Sequence, residues 1–154
     1  MMANRVRVAK DKAELVQSLI ATNNPHSPFQ TYADVLAFAA AIGAKYHKQV
    51  PLESVSTHEP GPVSLDVFIS RGYDLTLKLL AIAHTRDLQV LAVLDPEAEE
   101  RRTAIFEEYA NGGLEWLRDE LRGAVDYSER LLLILNKERL DPNSQAEFDL
   151  SRFL

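Results

Sequence analysis

The sequence predicts a mainly α-helical domain of about six helices, which follows one short, basic β-strand. Three observations lead to this prediction. Apolar residues recur at helical spacing through most of the chain, helix caps and stop signals separate these stretches, and polar and apolar residues alternate over Arg5–Val8. The length of 154 residues fits one domain, and folding at this size buries roughly 70% of the unfolded surface without a metal or disulfide.

The strand and two helices are predicted at the front of the chain. The alternation in residues 5–8 puts valines on one face and arginines on the other. A strand this short needs a partner, either from a second chain or from elsewhere in the fold. Residues 11–21 carry one apolar stripe at helical spacing, which predicts a first helix. A second is predicted over residues 32–44, where Thr31 and Asp34 can form a capping box.

The second half of the chain predicts further helices. Residues 73–83 are apolar at helical spacing, and residues 87–94 suit a short strand or a helix, of which we favour the helix. The next helix is predicted to begin at Asp95-Pro96 and to end at Asn111-Gly112-Gly113, which is typical of a helix C-terminus. Two more are predicted, over Leu114–Arg122 and from a capping box at Asp126–Glu129 to about Lys137.

The predicted organisation is a single domain, residues 1–154, with four portions. Residues 1–48 form a basic strand–helix–helix portion, and residues 65–138 form the helical body. Between them, residues 49–64 hold three prolines and a glycine and predict an irregular connector, the most plausible internal boundary. Residues 139–154 are predicted to form a short C-terminal helix or a tail.

Residue chemistry predicts no catalytic, cofactor-binding or metal-binding residue. The absence of cysteine excludes disulfides, thiolate catalysis and cysteine-ligated zinc. The four histidines have no helical pairing, and no phosphate-binding glycine loop is present. The glutamates of residues 97–115 leave one enzymatic alternative, a metal-dependent nuclease. The same glutamates are also explained by a helix start and an exposed helix face.

Charge is unevenly distributed and suggests an anionic partner. Residues 1–50 carry six basic and three acidic side chains, a net of +3, whereas the remaining residues carry 11 basic and 20 acidic, a net of −9. A basic strand followed by two helices is the order of a ribbon-helix-helix module, in which the strands of two chains pair and enter the major groove of double-stranded DNA. A basic edge strand can also simply discourage aggregation. The predicted DNA-contacting residues are Arg5, Arg7, Lys10, Lys12, Lys45 and Lys48.

The predicted location is the cytoplasm. The first 12 residues are polar and basic without the apolar stretch of a secretory signal. No apolar run approaches the roughly 20 residues that a membrane-spanning helix needs.

Three segments together resemble the bacterial family of Dnd-system-associated proteins. They are RVRVAK at residues 5–10, PFQTYADVLAFAAAIG at 28–43 and IFEEYANGGLE at 105–115, and the similarity spans most of residues 5–135. Residues 5–45 also resemble the small DNA-binding member of the core modification machinery. The resemblance implies a setting in DNA phosphorothioation, where sulfur replaces a backbone oxygen, and in the linked restriction machinery.

The expected function is that of a non-catalytic accessory protein. Sulfur transfer needs a cysteine that carries a persulfide, and the chain has none. We expect contact with double-stranded DNA through the basic N-terminal segment, association with other components of the system, and a homo-oligomer. Two alternatives remain open: an adaptor without DNA contact, which uses the acidic and apolar helices of residues 73–137, and the metal-dependent nuclease.

Overall fold

The computed structural model describes residues 4–140, and the structural statements below refer to that range. Helices dominate, which confirms the predicted mainly α class. The elements are β1 (Arg5–Val6), α1 (Ala13–Ser18), α2 (Tyr32–Lys45), β2 (Val63–Ser64), α3 (Leu65–Ser70), α4 (Asp74–Thr85), α5 (Pro96–Glu120) and α6 (Tyr127–Leu140). Short 3-10 helices, Lys10–Lys12 and Leu88–Leu91, precede α1 and follow α4.

The centre of the fold is the crossing of α2 and α5. The predicted capping box of α2 is present, since Asp34 N–H donates to Thr31 Oγ1 and Thr31 N–H donates to the Asp34 carboxylate, both at 3.2 Å. One main apolar core gathers side chains from the whole described range, including Val6, Val16, Leu36, Phe68, Phe106, Leu117 and Leu131. A smaller cluster of Ala81, Val90 and Ile105 lies between α4 and α5.

The prediction that a helix ends at Asn111-Gly112-Gly113 is wrong. Helix α5 continues through these residues to Glu120, so the separate helix predicted over Leu114–Arg122 is its second half. The glycines serve close packing instead: a Cβ on Gly113 would lie 1.6 Å from the Ala39 carbonyl oxygen. Burial against α2 outweighs the roughly 1 kcal/mol by which each glycine disfavours a helix relative to alanine.

Two other local predictions differ from the structure, and one helix was not predicted. The helix predicted over residues 11–21 is a 3-10 turn and the six-residue α1, because Ala21 N–H already donates to the Phe29 carbonyl at 2.8 Å. The stretch at residues 87–94 contains only a 3-10 helix, after Arg86 ends α4 in a left-handed conformation with φ of 54°. Helix α3 was not predicted, although Ser64 caps it by accepting from Asp66 N–H.

Strand β1 finds its partner in the same chain. It pairs antiparallel with β2, with Arg5 opposite Ser64 and Val6 opposite Val63. This arrangement differs from the two-chain ribbon of a ribbon-helix-helix module, because one edge of β1 is already occupied. The segment predicted as a connector supplies β2, and its Ser54 carbonyl accepts from Lys10 N–H at 2.8 Å. The prediction for residues 139–154 falls almost entirely outside the described range.

Candidate interaction surfaces

The basic N-terminal segment runs along α5. Asn4 Nδ2 donates to Glu99 Oε1 at 2.8 Å, Arg7 contacts Glu107, and further along the chain Lys12 Nζ donates to Asn111 Oδ1 at 3.2 Å. The valines of the strand pattern face the core, as predicted from their alternation. The arginines therefore lie on the outer side, between the strand and the exposed flank of the helix.

Arg7 is held by a buried carboxylate. Glu107 is only 4% exposed, and it accepts from the Arg7 backbone N–H at 2.5 Å, from Nε at 2.9 Å and from Nη2 at 3.0 Å. These hydrogen bonds and the negative charge of Glu107 raise the pKa of the Arg7 guanidinium above its ordinary value. The Arg7 side chain is still 52% exposed, so the guanidinium is fixed in place and reaches solvent.

Arg5 and Arg7 line one groove, whereas two other predicted contact residues are engaged elsewhere. The groove has a volume of about 670 Å³ and is also lined by Glu100. Lys12 is 3% exposed and lies between Asn111 and Asp11, so a contact with a DNA phosphate would require breaking both interactions. Lys45 Nζ pairs with Glu138 at 3.3 Å. Among residues 4–140, no ion pair involves the three remaining predicted contacts, Arg5, Lys10 and Lys48.

The glutamates of α5 are spread over separate partners. Glu99 binds Asn4, Glu107 binds Arg7, and Glu108 accepts from Gln49 Nε2 at 2.6 Å. Within residues 4–140, no group of three or more histidine, aspartate or glutamate side chains could hold a metal ion. The nuclease alternative therefore has no metal site in the described part of the chain.

Asp34 joins α2 to the turn between α3 and α4, which sequence reasoning missed. Beyond its capping role, its carboxylate accepts from Arg71 Nε at 2.7 Å, from Arg71 Nη2 at 2.8 Å and from the Tyr73 hydroxyl at 2.6 Å. Burial alone would raise the pKa of Asp34, but these bonds and the one with Thr31 outweigh it and hold the pKa below its ordinary value. The carboxylate is saturated with donors, so it connects elements and is not a free acid or base.

Two exposed apolar side chains of α4 form a second candidate site, which we call the α4 surface: Leu75 and Leu79. Leu75 and Leu79 are one helical turn apart and are 65% and 56% exposed. Ile69 and Val93 line a groove of about 250 Å³ together with the Asp74 and Lys78 side chains. Charges of both signs line this groove, since Asp66, Glu99 and Arg102 belong to it as well. These leucines are exposed because α4 turns its other face, with Leu77 and Ala81, towards α5.

Helix α6 has a further exposed apolar face, which we call the α6 surface. Its members are between 44% and 70% exposed: Leu132, Leu133, Leu135 and Leu140. The inner face of the helix packs on the core through Leu131 and Ile134. Among residues 4–140, no helix is both long enough and apolar enough to cross a membrane.

Comparison with known proteins agrees with the resemblance seen in the sequence. A family model described as DNA sulphur modification system-associated protein 4 matches residues 5–153. The match includes all three segments that carry the resemblance. Comparison with curated proteins gave no match, and neither did comparison with solved structures. Because the family model spans almost the entire chain, the chain belongs to the family of DNA sulphur modification system-associated proteins 4.

Proposed function

We propose that this chain is a non-catalytic accessory protein that binds another protein component of a DNA sulphur modification system through the α4 surface. Its family associates the chain with such a system. The observation that carries the proposal is the pair Leu75 and Leu79, two large side chains on the side of α4 opposite its buried Leu77 and Ala81. Exposed apolar patches with polar rims mark interaction sites in soluble proteins.

The chemistry of the α4 surface supports a particular kind of partner. Two leucines one turn apart are the anchors of a helix that docks into an apolar groove, and burying each side chain releases roughly 1.5–3 kcal/mol. The groove lined by Ile69 and Val93 has charges of both signs, since the carboxylates of Asp66, Asp74 and Glu99 line it together with Lys78 and Arg102. The partner is therefore a protein with an apolar groove that can receive these two side chains.

Calorimetric titration with each purified component of the system tests this proposal. The double variant Leu75→Ser/Leu79→Ser should lower the affinity for one component by at least about tenfold, given the apolar burial lost. Val125→Ser is the matched control, because Val125 is 88% exposed and lies outside the α4 surface. Circular dichroism should show unchanged folding in both variants. Unchanged affinity of the double variant, or binding of no component by the wild type, would refute the proposal.

DNA contact is a second candidate function, and one specific observation favours it. Arg5 and Lys10 are exposed without an ion pair in the range 4–140, and Arg7 lies beside Arg5 in the same groove, fixed by Glu107. A guanidinium whose position is already fixed loses little freedom when it binds a phosphate.

Fluorescence anisotropy with duplex DNA, with and without phosphorothioate linkages, tests the second candidate. Replacing Arg5 and Lys10 by glutamine should weaken binding and reduce the slope of log K against log salt by about 2, since two phosphate contacts are lost. Arg86→Gln/Arg130→Gln removes two other exposed cations and should leave the slope unchanged. Equal slopes for both double variants would contradict the assignment of the site.

A further inference from the structure

Arg102 is a buried cation without an ion-pair partner in the described range. It lies on α5 and is only 7% exposed. Among residues 4–140, no carboxylate oxygen lies within 4.0 Å of its guanidinium nitrogens. Buried charges in proteins are normally paired, because a buried charge without a counter-ion is costly. An anionic ligand would therefore be stabilised at Arg102.

The guanidinium of Arg102 uses only one of its three nitrogens. Nη1 donates to the Val90 carbonyl at 2.6 Å and to the Ala92 carbonyl at 3.1 Å, which fixes the guanidinium in place. Nε and Nη2 have no hydrogen-bond acceptor in the described part of the chain. Both atoms reach accessible surface, because no fully buried side-chain nitrogen or oxygen in that part lacks a partner.

The unoccupied edge is the one that binds carboxylates elsewhere in this protein. Nε and Nη2 of Arg7 donate to Glu107 at 2.9 and 3.0 Å. The same two atoms of Arg71 donate to Asp34 at 2.7 and 2.8 Å. This edge presents two parallel N–H groups, which match the two oxygens of a carboxylate. Arg102 therefore has a carboxylate-binding edge that is already fixed and still free.

Arg102 lines the groove of about 250 Å³ between α3, α4 and α5, which we call the Arg102 groove. A water molecule takes up roughly 30 Å³, so this volume suits a group of roughly eight non-hydrogen atoms. Ionic contacts are stronger between apolar walls than in water. The apolar wall of the groove consists of Leu65, Phe68, Ile69, Leu77 and Val93.

The carboxylates of the Arg102 groove disfavour ligands with more than one negative charge. Asp74 is paired with Lys78 at 2.8 Å, whereas Asp66 and Glu99 have no ion pair within residues 4–140. Their charge opposes a phosphate dianion or a DNA strand, because like charges repel. A single negative charge attached to an apolar group fits both the cation and the walls.

We propose that the Arg102 groove binds a monocarboxylate with an apolar chain of about five carbons, the length that its volume allows. The carboxylate accepts from Nε and Nη2 of Arg102, and the chain lies between the apolar walls. A free short-chain carboxylic acid and the C-terminal residue of a protein both offer this chemistry.

Nuclear magnetic resonance titration of the isotope-labelled, full-length protein tests the proposal with hexanoate as the probe. Hexanoate should shift the Nε–H signal of Arg102, which is identified by its loss in Arg102→Lys. Hexanamide and inorganic phosphate should bind at least about tenfold more weakly, since hexanamide lacks the charge and phosphate is repelled. N-acetylvaline has the free carboxylate of a protein C-terminus. Tighter binding of N-acetylvaline than of hexanoate would support the protein as the source, and the reverse order the free acid.

Ile69→Asp is a second variant, which leaves Arg102 intact and keeps the test decisive if Arg102→Lys does not fold. Ile69 lines the groove and is 53% exposed, so an aspartate there can be solvated. Its charge should weaken hexanoate binding by at least about tenfold. Val125→Asp is the matched control, because it adds the same charge at an 88% exposed position outside the groove, and its affinity should equal that of the wild type.

Three outcomes would overturn the proposal. The first is no binding of hexanoate by the wild type. The second is hexanoate binding no tighter than hexanamide or without a shift of the Arg102 Nε–H signal, because the carboxylate would then not contact this edge. The third is equal affinity of Ile69→Asp and Val125→Asp, which would place the bound hexanoate outside the Arg102 groove.

Discussion

Substitution of Gly113 by alanine should test the physical basis of the fold, because two opposing effects give opposite signs. Alanine stabilises a helix interior by about 1 kcal/mol relative to glycine, so helix propensity alone predicts a more stable protein. In the structure, however, the added Cβ would lie 1.6 Å from the carbonyl oxygen of Ala39 and 2.5 Å from its carbonyl carbon. Both obstacles are backbone atoms of α2 and cannot rotate away.

The expected magnitude follows from this geometry. Real Cβ contacts are essentially never shorter than 3.0 Å, so the two helices must move apart locally by about 1.4 Å, the difference between 3.0 and 1.6 Å. Overpacking a core by a methyl group costs roughly 1–3 kcal/mol, and a gap of only 0.5–1 Å already removes a quarter to a half of a dispersion contact. The loss extends along the α2–α5 crossing, and we expect a net decrease of about 3 kcal/mol in the free energy of unfolding.

Urea unfolding measures this change with two independent signals. Far-ultraviolet circular dichroism reports the helices, and fluorescence of Trp116, the only tryptophan, reports its stacking on Tyr46 at a centroid distance of 4.7 Å. Ala104→Gly in the exposed part of α5 is the control and should cost about 1 kcal/mol through propensity alone. A Gly113→Ala protein as stable as the wild type, or more stable, would refute the close crossing.

Three further substitutions give distinct expectations. Glu107→Gln removes the charge that binds Arg7 and should lower the free energy of unfolding by about 1–2 kcal/mol, as measured by urea unfolding. The expected loss is no larger because Arg7 is half exposed and solvent screens its interaction with Glu107. Asp34→Asn should destabilise the protein at neutral pH. The pKa of the Asp34 carboxyl is lower in the folded than in the unfolded state. The stability that its ionised form provides is therefore fully present above the ordinary pKa and is lost as the pH falls through the folded pKa. Wild type and variant should therefore converge in stability under acid titration, and a constant difference would contradict this. Asn111→Leu removes the oxygen that accepts a hydrogen bond from the buried ammonium of Lys12 and should destabilise the protein. Adding Lys12→Met removes that ammonium and should recover part of the lost stability. A double-mutant cycle should then give a coupling energy of about 0.5–3 kcal/mol between the two residues.

Features that depend on neighbouring residues could be predicted from the sequence. The capping box at Thr31 and Asp34, the start of α5 after Asp95 and the start of α6 after Asp126 all rest on hydrogen bonds that span at most three residues. The alternation at residues 5–8 likewise predicted which side chains face the core. In each case the same few residues contain both the signal and the interaction that it represents.

Features that depend on distant residues could not be predicted. Gly112-Gly113 has the local pattern of a helix end, and only the approach of Ala39, 74 positions earlier, shows why the helix continues. The partner of β1 is Val63–Ser64, at the end of the proline-containing stretch 49–64, and two residues are too few to give a strand pattern. The exposure of Leu75 and Leu79 is similar, because an apolar helix does not reveal from its sequence which of its apolar residues face another helix.

The charge asymmetry of the sequence has a different meaning once the chain is folded. The first 50 residues do contain more basic than acidic side chains, but several of the basic ones form ion pairs with carboxylates of the same chain. Arg7 compensates buried Glu107, Lys12 compensates Asp11 beside Asn111, and Lys45 compensates Glu138. An ion pair produces only a weak electrostatic field in solvent, because opposite charges at about 3 Å nearly cancel beyond a Debye length of roughly 8–10 Å.

The long-range attraction for DNA that a net charge of +3 suggests is therefore reduced to what Arg5, Lys10 and Lys48 provide, on a chain whose net charge is −6. Exposed leucines undergo no such cancellation, since apolar burial is additive and insensitive to charge, and this difference favours a protein over DNA as the principal partner.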